Sequence, residues 1–231
     1  MISRFGSLAG AGALALFGAG YASAAPTYYT ADLTPLNNSG VYAHFDLALD
    51  GTMLTVSEHA TGLEPNEPHP QHIHGQLGPS AANTALATAA SDTDGDGYVE
   101  LAEGQASYGP ILVDLSSPPG GAVSAFPTAP GGVIDFAQTY DLTDSSIFDA
   151  GITAADLFPL TDREIVIHGM TVPAGVGAGT PGEVNGTGGY LAVLPVADGF
   201  IRAAAVPEPA SVALLGMGLL GLVMARRRHA A

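Results

Sequence analysis

Three histidines follow the pattern His69-x-x-His72-x-His74, and five of the seven histidines in the chain fall between His44 and His74. On an extended strand, residues two apart point to the same side, so His72 and His74 can present two imidazoles to one metal ion without strain. A third candidate, His168, closes the apolar run Arg163-Glu164-Ile165-Val166-Ile167-His168. A second concentration of donors lies at residues 92–103, Asp-Thr-Asp-Gly-Asp-Gly-Tyr-Val-Glu-Leu-Ala-Glu, where carboxylates occupy loop positions 1, 3, 5, 9 and 12 and glycine occupies position 6. Carboxylate oxygens at that density suit calcium. The chain has no cysteine, which excludes disulfides, thiolate metal sites and cysteine nucleophiles together. Any metal site must therefore use His, Asp, Glu or carbonyl oxygen. Hydrolytic signals are missing as well: no serine sits in a Gly-x-Ser-x-Gly elbow, and the scattered carboxylates offer no pair assignable to acid–base work. Residues 177–182 fit a Gly-x-Gly-x-x-Gly string, but no strand-to-helix context surrounds it, so it reads as a loop. His44 and His59 have no partner in any motif and read as ordinary strand or surface histidines, so no catalytic residue is assigned.

The elements that must position these donors are strands. Residues 28–33, 41–49 and 53–56 are short, partly alternating and bounded by turns, and Asp50-Gly51 marks a hairpin. Further strand-like runs occupy residues 111–113, 133–136, 164–168 and 190–194, separated by Gly- and Pro-rich loops. This pattern predicts an all-β sandwich or barrel. Residues 81–90, rich in alanine and placed just before the acidic loop, are the one stretch of helical composition. No internal repeat or linker divides the middle of the chain.

Charge narrows the partners. Asp+Glu 22 against Lys+Arg 6 gives a formal charge of −16 over 231 residues, and every basic residue is arginine. Four of those arginines lie in the two ends, leaving Arg163 and Arg202 in a strongly acidic middle. Nucleic acid is excluded, because neutralising phosphates needs a basic face. An acidic surface instead attracts cations and keeps the chain soluble by self-repulsion.

The ends read as targeting segments. Residues 1–24 carry Arg4, an apolar Ala/Leu/Gly run and the small-x-small sequence Ala22-Ser23-Ala24, which is the pattern of a secretory signal. At the other end Val206-Pro207-Glu208-Pro209 precedes sixteen uncharged, mostly apolar residues and the cluster Arg226-Arg227-Arg228. The apolar run is just under the usual length of a membrane span, and the arginines hold its carboxyl end in the cytoplasm. Residues 25–205 are thus the expected working domain, between a signal at 1–24 and a sorting and membrane segment at 206–231.

Four resemblances carry these observations further. The carboxyl-terminal end, with Pro207, Glu208 and Pro209 as its motif, resembles a PEP-CTERM sorting signal. That resemblance implies recognition by an exosortase, transient membrane anchoring as an inner-membrane intermediate, and delivery to the cell surface or extracellular polysaccharide matrix of a Gram-negative-type bacterium. Residues 92–103 resemble an EF-hand calcium loop. Asp92, Asp94 and Asp96 would then give side-chain oxygens, Tyr98 a carbonyl, Glu100 a contact through water and Glu103 a bidentate closure, in a structural clip rather than a sensor.

Residues 28–203 resemble copper/zinc superoxide dismutase, a Greek-key barrel, with the acidic loop as an insertion. The matching segments are His69-Pro70-Gln71-His72-Ile73-His74, Arg163 through His168, and Val196-Ala197-Asp198-Gly199-Phe200-Ile201. The resemblance implies His72, His74 and His168 as copper ligands, His69 as a support bonded to backbone, and residues 173–189 as a loop above the site. The departures are specific. No histidine lies between His74 and His168, so the bridging ligand and the zinc histidines are absent and no zinc is expected. Pro195 stands where the anion-guiding arginine would be. His72-Ile73-His74-Gly75 and residues 181–186 also resemble CHRD domains, extracellular β modules with a binding or matrix role. The expectation is an exported surface or matrix β domain that binds calcium and copper without turnover, with a copper-only dismutase-like enzyme as the alternative.

Overall fold

The computed structural model describes residues 25–205, so the expected signal segment and sorting end lie outside the described residues. Strands β1 (Thr27–Pro35), β2 (Tyr42–Asp50) and β3 (Met53–Thr61) pair antiparallel in sequence order, and the Asp50↔Met53 pair closes the expected hairpin over Gly51 and Thr52. Alternation does what the pattern predicts: Ala43, Phe45 and Leu47 on β2 and Leu54, Val56 and Ala60 on β3 are buried, while their neighbours face outward. β6 (Val133–Asp141) extends this first sheet along β3.

The second sheet has the order β5 (Ile111–Asp114), β4 (Gln71–His74), β7 (Glu164–Val172), β8 (Gly189–Phe200). Thr34 and Pro35 of β1 pair with Asp198 and Ala197 of β8, joining the sheets into one path, and β9 (Arg202–Ala203) adds to β1. The free ends of the path approach each other as well. The Tyr140 hydroxyl on β6 donates to the Ser116 carbonyl beyond β5, and Val113 bridges Phe148. The result is an antiparallel sheet curled into an all-β sandwich or half-barrel, the expected class. Ile73, Leu112, Ile165, Ile167 and Val196 meet Phe45, Leu47, Leu54, Val56 and Ile134 between the sheets. Full burial of each such side chain stabilises by roughly 1.5–3 kcal/mol.

Val166 points to the outer face of the second sheet by alternation, yet it is fully buried. It packs with Ala87, Val99 and Tyr108, from the chain between β4 and β5, and with Leu36 just after β1 in a second apolar cluster. This roof covers the outer face and explains why β7 reads as a continuous apolar run rather than an alternating one.

The helix forms elsewhere than its composition suggests. Residues 81–90 make only 3₁₀ turns, at Gly78–Asn83 and Ala89–Ser91, with extended backbone between them. Their N–H groups are drawn outward: Ala85 donates to the Ser107 carbonyl and Ala87 to the Asp198 carboxylate, so no i→i−4 ladder starts. The α-helix is instead α1 (Leu101–Tyr108), just after the acidic loop. Glu103 starts it by accepting the Glu100 N–H at 2.9 Å, and it stops at Gly109.

Candidate metal centres

His72 and His74 lie two apart on β4 and share its outer face, as their spacing predicts. His168 joins them from the neighbouring strand. In the β7–β8 ladder its partner is Pro195, which has no N–H to give, and the register slips on either side of this pair. The His168 N–H turns to the Pro70 carbonyl at 2.8 Å instead, tying β7 to the residue before β4. Ring centroids stand 5.5 Å (His72–His74), 5.1 Å (His72–His168) and 6.0 Å (His74–His168) apart.

Two of the rings are held by one nitrogen, and each of the three leaves a nitrogen open. His74 Nδ1 donates to the Gly109 carbonyl at 3.0 Å, and His168 Nδ1 to the Val193 carbonyl at 2.7 Å. His72 Nε2 stands 3.5 Å from Asp114 Oδ1. The remaining nitrogens, His72 Nδ1, His74 Nε2 and His168 Nε2, are buried without a hydrogen-bond partner. One nitrogen of each residue lies within 4.8 Å of the other two. Burial drives all three imidazoles toward the neutral form: His74 is pushed down to about 3 and His168 to about 4. His72 falls well below its ordinary value, through burial first and then through its two histidine neighbours. Neutral, buried imidazoles with a nitrogen free on each are the kind of donor that could hold a transition-metal ion.

His69 is fully buried between the carbonyls of His168, 2.9 Å from its Nδ1, and Glu64, 3.0 Å from its Nε2. It fixes the backbone of His168 rather than joining the triad. Gly169 is demanded here, because its φ is +109° and a Cβ would strike the Tyr190 hydroxyl and His69 Nδ1. The Tyr190 hydroxyl in turn donates to the Pro68 carbonyl.

The walls include residues the motif did not single out. The Tyr108 ring packs 4.6 Å from His74, and the Phe126 ring 5.2 Å from His72. Glu164 is opposite His74 in the ladder and fully buried, with both carboxylate oxygens unpartnered. Burial, then Asp198, raises it to about 9, so it is a neutral acid at pH 7. Its signal was present in the sequence, since positions 164, 166 and 168 share one face of a strand. Arg163, by contrast, is buried and directs its guanidinium to the carbonyls of Asp156, Phe158 and Asp162.

The acidic loop brings Asp92, Asp94 and Asp96 together, with one oxygen of each inside 4.8 Å. Its backbone is wound by its own carboxylates. Asp92 accepts from the Gly95 and Gly97 N–H groups, Asp94 from Asp96, and Asp96 from Tyr98. Asp96 Oδ2 has no partner, and burial followed by its acidic neighbours raises this carboxyl above its ordinary value. Glu103 Oε1 accepts from the Thr93 N–H at 2.6 Å and the Asp94 N–H at 3.3 Å, which places it against the start of the loop. Glu100 turns the other way: it is buried and accepts the Val184 N–H. Residues 173–189 therefore pack on the acidic loop through Glu100. Gly182 permits this, since at φ +109° a Cβ would overlap the Glu100 carboxylate. Asn37 pins the loop to the sheets, accepting the Val99 N–H at 2.7 Å and donating to the carbonyls of Val99 and Pro195 at 2.9 Å each.

Residues 205–228 match the PEP-CTERM protein-sorting motif. The motif marks an exported protein, recognised by exosortase-type machinery and sorted to the cell surface. No curated protein matches the chain.

Proposed function

We propose that residues 25–205 are a surface-displayed β domain that holds one copper ion on His72, His74 and His168 and one calcium ion in residues 92–103, and that it binds these metals without turnover. The observation that carries this reading is that His72, His74 and His168 bring one ring nitrogen each within 4.8 Å of the others, and that each of the three keeps a buried nitrogen without a hydrogen-bond partner. Orphaned buried polar atoms are costly unless a ligand satisfies them. Copper suits imidazole donors, and when bound it would supply one-electron chemistry. What this chain's residues do is hold three neutral imidazoles at fixed orientation, exclude water with Tyr108 and Phe126, and anchor His168 through His69. His69 and the Greek-key-like crossings between the sheets support the dismutase resemblance.

The walls support binding over catalysis. Arg163 is committed to carbonyls, Arg202 is exposed on β9, and the carboxylate of Asp114, 3.5 Å from His72 Nε2, repels anions. A copper-only dismutase is the second reading, favoured by the 7 % exposure of His72, which opens the centre on one side. The two readings separate by loading the full chain with copper and calcium, counting both metals, and measuring superoxide quenching. One copper, one calcium and quenching no faster than free copper supports binding. Quenching well above free copper establishes the enzyme. A copper count unchanged by His72→Ala with His74→Ala removes both.

A further inference from the structure

We infer that the outer face of the first sheet carries a second transition-metal site, built on the cross-strand pair His44 and His59 and braced by Asp32 and Asp135. The four residues form one row across four adjacent strands. Asp32 on β1 is opposite His44 on β2, His44 is opposite His59 on β3, and His59 is opposite Asp135 on β6. All four face solvent, with His44 and His59 side chains 48 % and 61 % exposed. An aspartate–histidine–histidine–aspartate row is not what an unoccupied sheet face needs, since two imidazoles directly opposite each other gain little as neighbours.

The hydrogen bonds give the row its direction. His44 Nδ1 donates to Asp32 at 2.6 Å, and His59 Nδ1 donates to Asp135 at 2.7 Å. Each ring is thereby tied to the outer strand on its own flank; on the two central strands His59 Nε2 is left over and His44 Nε2 faces the Asp46 carboxylate. A carboxylate holding Nδ1–H fixes the tautomer with a lone pair on Nε2 and makes that nitrogen more basic, which is the second-shell arrangement of metal-ligating histidines. Directly opposed Cβ atoms in an antiparallel pair lie about 4.5–5.5 Å apart, within the reach of two imidazoles bound to one ion at about 2.0–2.1 Å. Asp46 Oδ1 stands 3.4 Å from His44 Nε2 and supplies an oxygen donor beside the pair. An open cavity of about 350 Å³ adjoins the row beside Tyr42 and Thr61, leaving room for waters to complete the coordination. Two imidazoles, one carboxylate and water select a divalent first-row ion such as zinc, nickel or copper over calcium. The site lies on the opposite sheet from the buried triad and does not depend on it.

The test uses zinc ion alone, titrated into the full chain with calcium in excess, while histidine ring ¹⁵N shifts and bound zinc are followed. The expected result is that the His44 and His59 Nε2 signals move together, and that His44→Ala and His59→Ala each lower the zinc count by one. Asp32→Asn with Asp135→Asn should weaken that equivalent by about 10-fold or more while leaving both imidazoles in place. His168→Ala should leave it intact, which separates this site from the buried centre. If neither alanine variant changes the zinc count or affinity, or if only one of the two rings shifts, the pair is two separate surface ion pairs and the inference is overturned.

Discussion

His72, His74 and His168 sit on strands whose ladders run on both sides, whereas Asp92, Asp94 and Asp96 sit in a loop that winds around its own side chains. The histidines are pre-arranged by the sheet, so their open nitrogens stay open because nothing nearby can reach them. The aspartates have backbone N–H groups as partners, which wind the loop around its own carboxylates. A strand-borne site therefore keeps its donors at the expense of unsatisfied buried nitrogens, and a loop-borne site keeps them at the expense of competition from its own backbone. The largest effect that tests this contrast comes from removing one donor from the rigid site. His168→Ala should weaken copper by at least about 100-fold, beyond the range seen for outer-shell partners, and leave calcium affinity within a few-fold by titration calorimetry. An equal loss of calcium would mean that the two centres form one unit.

Acid should separate the centres next. His168 falls from an ordinary 6.5 to about 4 on folding and His74 to about 3, so between those values the unfolded chain binds protons that the native state refuses. Metal-free stability therefore falls as pH drops from 6.5 toward 4, by about 3 kcal/mol for a group shifted as far as His168. Glu58, buried and raised to about 8, acts in the opposite sense, losing stability as pH rises from 4.5 through 8. Comparing the metal-free chain with a metal-free His168→Gln variant isolates the histidine share, and chemical denaturation at pH 7 and pH 5 should show a smaller loss in the variant. Equal losses would show that the triad is not buried and neutral.

The third effect belongs to the loop alone. Asn37→Ala removes three hydrogen bonds to Val99 and Pro195 and leaves polar backbone unpaired, which costs about 2 kcal/mol. Calcium affinity should fall with stability while copper affinity at equilibrium holds. Unchanged calcium binding would show that the loop needs no tether to keep its shape.

Asn37 also marks how far the sequence could be read. The acidic loop was legible because its donors fall within twelve consecutive residues, and the strands were legible because alternation and turn residues are local. The pairing of His72 with His74 was legible for the same reason. His168 entered as the end of an apolar strand and through the dismutase resemblance, since its place beside β4 depends on the β4–β7 pairing, which no local pattern reveals. Asn37 is 62 residues from Val99 in the loop it clamps, and Glu100 accepts the N–H of Val184, which follows 84 residues later. The helix was misplaced for a related reason: alanine content favours helix locally, but residues 81–90 are bonded to Ser107 and Asp198. His44 and His59 looked ordinary because their aspartate partners, Asp32 and Asp135, lie on two other strands, β1 and β6.

The smallest effect tests whether the two centres communicate. Val99 occupies the apolar position inside the acidic loop and packs in one cluster with Tyr108 and Val166, while the Tyr108 ring also lies on His74. The loop is therefore part of the roof over the histidines, and an opening on that side lifts Val99 and Tyr108 from Val166. On the proposed reading calcium holds the loop closed, so removing calcium should make that opening easier without altering the copper ligands themselves. Chelating calcium should speed copper loss to a competing chelator by about 10-fold, equivalent to about 1.4 kcal/mol in the opening equilibrium, with the copper spectrum unchanged. Asp92→Asn with Asp94→Asn should reproduce the faster loss and make it insensitive to calcium. If copper leaves at the same rate with and without calcium, the roof opens along Phe126 and the exposed edge of His72 instead, and the acidic loop serves only to hold residues 173–189 in place.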